Sequence, residues 1–491
     1  MDAEVAIVFV PFPAQGHITI MLRLARALAD RGDVKATVAV PDFVHRLMGQ
    51  PAEAGAGVAL VPLPSGVQDD GGDEPPGTAA IVHAMEHHMP AELEGMLLAP
   101  PQRRVSCLVV DVLASWAIPV AARCGVPAVG FWPAMLASYR AVAAIPELIG
   151  KGVISESGAL VPTSGVTEDQ NIGDLHILPT KLEMSIRDLL WYDGGGGSSQ
   201  HSRFPFWLRT MDRAKTLGSI LVNSFPSDGA GDSDRYDPPQ GREILYAGPL
   251  FDDHFDPAKT GAPSLPPRKT STTMWQADYT CIDWLDQQSP RSVIYISFGS
   301  WVTTIGPDKI AGFARGLEAT GRPFLWALKD HPSWRAGLPD RYAEAVAGRG
   351  KIVSWAPQED VLKHEAVGCY IMHGGFISMY EAVQQGVRMI CYPIYGDHFV
   401  TCAYIVKMWE IGIALASGDQ EDVRNCVERV MDGEEGRRLQ EKVNELRETI
   451  MADEVRSVAS RSLDLFMGRI RNDDDTKIEQ VTKPEITWQK E

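Results

Sequence analysis

The sequence lacks several features that would mark a secreted or membrane-spanning protein. It has seven cysteines in 491 residues and no C-x-x-C pair, which argues against a disulfide scaffold and indicates reduced thiols. It has no uncharged apolar run of about 18 residues, so no membrane-spanning helix is predicted. No basic segment precedes the first apolar run, so no signal peptide is predicted. We therefore expect a cytoplasmic protein.

Positive charge is also scarce. Lys and Arg number 46 against 64 Asp and Glu, a formal net charge of -18. A chain of this sign repels phosphate backbones and anionic lipid headgroups, which disfavours nucleic-acid and membrane-surface binding. No G-x-G-x-x-G follows the first strand, which argues against a nicotinamide dehydrogenase, and no P-loop motif supports a nucleotidase. Small anionic ligands remain compatible, because helix N-termini bind them.

What the chain does contain is an alternation of strand and helix patterns. Residues 5–12 form a continuous apolar run, 17–31 have the period of an amphipathic helix, and 34–40 form a second apolar run. A similar series begins at 292–300. The intervening 226–280 are rich in Gly, Pro and Asp and are interpreted as loop and linker. The pattern predicts an α/β protein with two doubly wound domains.

The first candidate site lies in the N-terminal series. His17 follows the first strand in PFPAQGHI, and Asp111 ends a strand in LVVDVLASW. Ligands in open α/β sheets bind beyond the carboxyl ends of strands. His17 is thus either a general base or a capping histidine. Asp111 either accepts a hydrogen bond from His17 or caps the next helix.

The second candidate site is the segment MHGGFISMYE, between a buried strand and a helix. Gly374 and Gly375 follow His373 there, so backbone N–H groups at a helix N-terminus can approach an anion. Glu381 lies one turn inside the helix and can accept from ribose hydroxyls. Trp355 offers a face on which a base can stack. Each residue alone fits core packing, but their spacing together favours a nucleotide-type ligand.

Residues 355–398 resemble the donor-binding box of plant family 1 UDP-glycosyltransferases. WAPQ, HGG, Ser378, Glu381 and Asp397 stand in register with that box, and PFPAQGHI and ISFGS are also similar to the family. The resemblance implies a GT-B fold, with two Rossmann-like domains facing a central cleft. We place an acceptor-binding domain at 1–250, a linker at 251–280 and a UDP-sugar-binding domain at 281–470. The last helix is expected to pack back on the N-terminal domain, and 471–491 to be disordered.

The resemblance also implies roles for individual residues. His17 would deprotonate an acceptor hydroxyl with Asp111 as its partner, and Trp132 and Met135 would line the acceptor pocket. UDP-sugar would be a co-substrate, with no cofactor and no metal, and we expect a monomer. Within the donor site, Trp355 would stack on uracil, and Gln358 and Glu381 would bind the ribose. The diphosphate would be bound by Ser300, His373 and Ser378, and the sugar by Asp397 and His398. The full set of donor-binding residues would be Ser300, Trp355, Ala356, Gln358, His373, Gly375, Phe376, Ile377, Ser378, Glu381, Asp397 and His398.

This box departs from the family pattern. Ile377 stands where an Asn is expected to bond the phosphate, Phe376 replaces a Trp, and Gly374 replaces a Cys. A lost hydrogen bond to a charged group costs roughly 1.5–3 kcal/mol, so a weaker donor site is predicted. His398 replaces a Gln and is associated with galactose, although glucose is the first expectation. The alternative is a catalytically impaired relative that binds a small molecule.

Overall fold

The structure is a computed structural model that describes residues 5–49, 57–67, 76–99, 105–192, 198–226, 242–251, 273–300 and 305–482. Two parallel sheets organise it. The first has strand order β3-β2-β1-β4-β5-β6-β7 and the second β10-β9-β8-β11-β12-β13. Both contain the 3-2-1-4-5-6 order of nucleotide-binding α/β folds. The predicted pair of doubly wound, Rossmann-like domains in a GT-B fold is confirmed.

The first sheet comprises β1 Val5–Val10, β2 Val34–Pro41, β3 Val58–Leu63, β4 Cys107–Asp111, β5 Ala128–Trp132, β6 Ser219–Val222 and β7 Glu243–Tyr246. The second comprises β8 Val293–Ser297, β9 Phe324–Ala327, β10 Gly350–Val353, β11 Val367–Met372, β12 Arg388–Cys391 and β13 Gly412–Ala414. Strands β1, β4, β8 and β11 are almost entirely buried because helices cover both faces of each sheet.

The helices cover these sheets and connect their strands. In the N-terminal half they are α1 Gln15–Ala29, α2 Asp42–Met48, α3 Thr78–His87, α4 Met89–Leu98, α5 Ala117–Arg123, α6 Leu136–Ala143, α7 Ile145–Gly150 and α8 Ser198–Ala214. In the C-terminal half they are α9 Thr280–Leu285, α10 Pro307–Thr320, α11 Pro332–Arg335, α12 Tyr342–Val346, α13 Gln358–Lys363, α14 Phe376–Gln384, α15 His398–Ala403, α16 Gln420–Met431, α17 Gly433–Ile450 and α18 Asp453–Thr482.

Sequence periodicity located most elements of the first β-α-β unit. Helix α1 buries Ile18, Met21 and Leu28 against the sheet, and Gly32 follows it at a φ of 79°. The interpretation of 226–280 as loop and linker was wrong in one part, because residues 243–246 form β7, which pairs with β6. This edge strand is four residues long and only half-buried, so its hydrophobic pattern is weak.

The last helix lies against the N-terminal half. Arg31 Nε donates to Asp464 at 3.0 Å, and Arg469 pairs with Glu243 on β7. Helix α18 extends to Thr482, 483–491 lie outside the described residues, and the disorder expected for 471–491 stays a prediction. The domain boundaries at 250 and 281 fall between the two sheets and stay a prediction. In the described part of the chain, no helix is long and apolar enough to cross a bilayer.

Candidate active site

His17 and Asp111 meet at the carboxyl ends of two neighbouring strands. Strands β1 and β4 pair in register up to Val10 and Val110, so the residues that follow them lie side by side. The His17 ring Nδ1 is 2.7 Å from Asp111 Oδ2. About a quarter of the His17 side chain is exposed, whereas Asp111 is fully buried. This contact between His17 and Asp111 was predicted from the sequence.

The buried Asp111 carboxylate has further partners. The backbone N–H of Phe12 donates to Oδ2 at 3.2 Å, and that of Leu113 donates to Oδ1 at 2.9 Å. Asp111 therefore both caps the short 3₁₀ helix Val112–Ala114 and pairs with His17. Because Asp111 accepts at Nδ1–H, Nε2 is the imidazole nitrogen that can take a proton.

The charges around His17 favour its protonated form. Burial lowers the pKa of His17, but the charge and hydrogen bond of Asp111 and the charge of Asp397 raise it. The net result is a pKa above the ordinary value. Asp397 belongs to the C-terminal half, so the two halves approach each other at His17. Burial raises the pKa of Asp397, and the charge of His17 opposes this effect.

His373 occupies a tight site at the beginning of α14. A Cβ added to Gly299 would lie 2.8 Å from its ring, and one added to Gly375 would lie 2.4 Å from its Nε2. The imidazole therefore fits only between two glycines. Burial lowers its pKa to about 4, with an opposing backbone hydrogen bond at Ser297. His373 is neutral at pH 7, and its buried Nδ1 has no partner among the described residues.

His398 lies against His373. Their ring centroids are 4.6 Å apart and nearly perpendicular. Burial and then the charge of His373 hold the pKa of His398 well below its ordinary value, and its Nδ1 accepts from the N–H of Tyr395 at 3.2 Å. Gly374 has a φ of +90°, and a Cβ there would lie 2.8 Å from the His398 carbonyl oxygen. Glycine, in place of the family's cysteine, therefore allows both the positive φ and the close approach of the His398 carbonyl oxygen.

Gln358 is the centre of a polar network. Its Nε2 donates to Ser378 Oγ at 2.8 Å and to Glu381 Oε2 at 2.7 Å. Its Oε1 accepts from Tyr370 at 2.9 Å and from Tyr295 at 3.3 Å. The network orients the amide and brings together three residues predicted to bind the donor.

Glu381 is linked to the N-terminal half by charge. Burial and then the charge of Glu359 raise its pKa, the charge of Arg23 and the hydrogen bond from Gln358 lower it, and the net pKa is about 7. Arg23 on α1 is buried, pairs with Glu359 on α13 and donates to the Leu250 carbonyl at 3.3 Å. Sequence reasoning did not detect this pair, because its partners are far apart in the chain.

Three further residues predicted to bind the donor border the site around Gln358 and Glu381: Trp355, Ala356 and Ser300. Trp355 is half-buried and stacks on Trp275, with ring centroids 4.8 Å apart. Ala356 is buried. The Ser300 carbonyl accepts from Lys329 Nζ at 2.6 Å. Trp275 and Lys329 were not predicted as site residues.

Phe376 and Ile377, the two unusual residues of the box, contact neighbouring elements in the structure. Phe376 is buried, with its ring centroid 4.4 Å from that of Tyr380, which in turn packs on Phe225 of the N-terminal half. Ile377 Cδ1 lies 2.9 Å from the position of a Cβ added to Gly16. Ile377 thus packs across the cleft against the turn that carries His17. The sequence could not reveal this contact, because Gly16 has no side chain and so adds nothing to the apolar pattern from which contacts are predicted.

The two predicted acceptor residues lie in the core. Trp132 and Met135 are 2% and 0% exposed. The Trp132 Nε1–H donates to the Met135 carbonyl and to Ser138 Oγ, both at 3.1 Å. Their role in acceptor binding stays a prediction. Within the described ranges, no group of three or more His, Cys, Asp or Glu could hold a metal. The sequence also contains a D-x-D at Asp232 and Asp234, in a Gly- and Asp-rich stretch that is typical of a solvated turn rather than a metal site, and these residues lie outside the described ranges.

The fold and this site define a class of protein. A histidine–carboxylate pair in one half faces a helix N-terminus with buried imidazoles in the other. Such an arrangement suits transfer of a group from a nucleotide-bound donor to an acceptor deprotonated by the histidine.

Comparison with known proteins agrees with this class. The family model "UDP-glucoronosyl and UDP-glucosyl transferase" matches residues 276–446, and "Glycosyltransferase, N-terminal domain" matches 3–45. UDP-glycosyltransferase 82A1 of Arabidopsis thaliana is 40% identical over 92% of this chain and 95% of its own length. The DIMBOA UDP-glucosyltransferase BX8 of Zea mays is 32% identical over 90% of this chain and 93% of its own.

Solved structures show the same fold. A UDP-glucose: anthocyanidin 3-O-glucosyltransferase in complex with UDP has a TM-score of 0.75 at 22% identity, covering 96% of this chain and 100% of its own. Os79 from O. sativa with UDP has a TM-score of 0.74 at 23% identity, covering 93% and 99%. The chain belongs to the plant family 1 UDP-glycosyltransferases and is a UDP-dependent glycosyltransferase.

Asp111→Asn should move the acid limb of the kcat–pH profile to lower pH. The wild-type base is neutral only above its raised pKa, so activity falls as pH drops through that value. Without the Asp111 charge the pKa of His17 falls, and maximal kcat falls by at least about tenfold because the imidazolium is less stabilised. Asp286→Asn is the matched control, since Asp286 pairs with His364 at 3.1 Å. An unmoved limb would show that His17 is not the titrating base.

Gly375→Ala should displace the His373 ring and weaken UDP binding. The new Cβ would lie 2.4 Å from Nε2, and overpacking of this kind costs about 1–3 kcal/mol. Calorimetric titration with UDP and thermal unfolding measure the two effects. Gly348→Ala is the control, because a Cβ there meets nothing within 4 Å. Equal UDP affinity in wild type and Gly375→Ala would contradict the placement of His373 in the donor site.

Proposed function

We propose that this glycosyltransferase moves a hexose from UDP-sugar to a hydroxyl of a small hydrophobic acceptor, such as a phenolic, flavonoid or terpenoid, with inversion at the sugar. The observation that carries the proposal is the 2.7 Å contact between His17 Nδ1 and Asp111 Oδ2 at the cleft, near Asp397. A base with a fixed tautomer and a free Nε2 is what deprotonation of a hydroxyl requires.

In this mechanism, His17 Nε2 takes the proton of the acceptor hydroxyl as its oxygen attacks the sugar C1. The bond from C1 to the phosphate oxygen breaks, and UDP leaves with the electron pair. Asp111 stabilises the imidazolium that forms. The displacement is in line and passes through an oxocarbenium-like state.

The donor half supplies hydrogen-bond donors to the departing UDP. Helix α14 begins at Phe376 and has no side-chain cap, so its first amides are available to the diphosphate. The buried Nδ1 of His373, which has no hydrogen-bond partner in the described part of the chain, supports this assignment. Since the pKa of His373 is about 4, it acts as a neutral hydrogen-bonding group. Ser300 and Ser378 are the other proposed diphosphate contacts.

The remaining residues of the box are proposed to bind the ribose and the base. Glu381 and Gln358 are proposed to hold the ribose hydroxyls, and Trp355 to stack on uracil with Ala356 beside it. Asp397 and His398 are assigned to the sugar, with glucose expected first and galactose second. Because the pKa of Glu381 is about 7, UDP affinity should rise with pH through that value as the accepting carboxylate ionises.

A reducing, cytoplasmic setting is part of the proposal. None of the seven cysteines forms a disulfide, and six of them are buried. The second candidate function is a catalytically impaired relative that binds a small molecule. The specific observation in its favour is Ile377, whose side chain packs on Gly16 and cannot bond a phosphate.

Turnover distinguishes the two functions. Wild-type protein should form glycosides from UDP-glucose or UDP-galactose on a panel of phenols, flavonoids and terpenoid alcohols, as measured by mass spectrometry. His17→Ala should abolish transfer and leave UDP affinity unchanged, because His17 touches the acceptor and not the nucleotide. His45→Ala, on helix α2, removes an imidazole that is not assigned to the site and serves as the control. A saturated panel without product would count against the proposed activity.

Ile377→Asn should tighten UDP binding about tenfold or more. The new amide regains a hydrogen bond to a charged group, worth roughly 1.5–3 kcal/mol, which exceeds the loss of apolar packing by the partly buried Ile377 side chain. Ile377→Val keeps an apolar side chain and should bind UDP as the wild type does. Calorimetry with UDP, UDP-glucose and UDP-galactose measures both variants. Absence of binding by wild type and Ile377→Asn alike would establish the box as non-functional.

A further inference from the structure

Trp275 is an aromatic residue that the assigned site does not explain. It lies in the segment that joins the two sheets, and its indole stacks on Trp355 with ring planes 29° apart and centroids 4.8 Å apart. Trp355 is the residue to which uracil is assigned, so this inference rests on the proposed function. Trp275 occupies one face of Trp355, so a base that stacks on Trp355 must use the opposite face.

A cation holds the Trp275 ring. Lys329 Nζ lies 5.4 Å from the Trp275 centroid and 5.7 Å from the Trp334 centroid, within the range of cation–π attraction. The same ammonium donates to the carbonyl of Ser300 at 2.6 Å. Because Lys329 is bound at three points, it restricts the plane in which Trp275 can lie.

The backbone around Trp275 is also held at both ends. Met274 is buried, and its N–H donates to Gln15 Oε1 at 2.7 Å. Gln15 lies in the first turn of α1, two residues before His17. Further along, the N–H of Asp278 donates to the Trp355 carbonyl at 2.9 Å. The segment 274–278 therefore connects the helix of the proposed base to the proposed base-stacking residue.

We propose that Trp275 is a positioning residue of the nucleobase site. By stacking on one face of Trp355 it fixes the indole plane and presents the other face to uracil. A half-buried tryptophan without that neighbour samples other rotamers, and ordering it on binding costs affinity. Trp275 acts through Trp355, and its backbone joins that site to α1.

The test compares Trp275→Leu, which keeps apolar volume without a ring, with Trp275→Phe, which keeps a ring. Loss of one aromatic pair predicts UDP affinity roughly threefold to tenfold weaker in Trp275→Leu. The KM for UDP-sugar should rise by the same factor with kcat unchanged, and Trp275→Phe should restore most of the loss. A purely structural role would instead lower the amount of folded protein without this split between KM and kcat.

Two further variants distinguish failure of the uracil assignment to Trp355 from failure of the proposed role of Trp275. Trp409→Leu removes a matched aromatic, 5.2 Å from Tyr404, and should leave UDP affinity unchanged. Trp355→Ala should weaken UDP binding more than Trp275→Leu does. If Trp355→Ala has no effect, the assignment of uracil to Trp355 fails. If Trp355→Ala weakens binding while Trp275→Leu leaves it unchanged or tightens it, only the present inference is overturned, and tightening would mean that Trp275 covers the base-binding face.

Discussion

The fully buried carboxylate of Asp111 is the constraint on which the catalytic half depends. A buried charge is stable only when donors surround it. Here two donors are backbone N–H groups, of Phe12 and Leu113, in the turns after β1 and β4, and the third is His17. Satisfying the charge therefore shapes both turns and places the imidazole at the cleft. The same charge raises the pKa of His17 and fixes its tautomer.

In the C-terminal half the negative charge belongs to the proposed ligand and not to a buried side chain of the protein. Burial keeps His373 and His398 neutral at pH 7. The N-terminus of α14 therefore offers its backbone amides and the neutral rings of His373 and His398 to an anion. The His373 ring is held in place by packing and not by an ion pair. It lies between Gly299 and Gly375, and neither position tolerates a Cβ. Donor affinity should thus depend on packing as much as on hydrogen bonds.

Contacts across the cleft connect the two halves near α1. Ile377 packs on Gly16, Arg23 pairs with Glu359, and Gln15 accepts from the N–H of Met274. Each lies within two turns of His17 on the same helix. Ile377, in place of the Asn expected from the family pattern, therefore does more than remove a proposed phosphate contact. Its side chain supplies an apolar contact between α14 and Gly16, the residue before the proposed base His17, at a position where the family pattern shows only a missing amide.

The sequence by itself determined the α/β class, the two strand–helix series and the positions of His17, Asp111 and the box, because period, glycine placement and strand ends are local signals. It missed the edge strand β7, whose short, half-buried run has little pattern. The partners of Ile377, Trp355 and Glu381 emerged only from the tertiary structure. Gly16, Trp275 and Arg23 lie far from them in the chain, and packing of the two halves, which no local pattern encodes, decides which side chains meet.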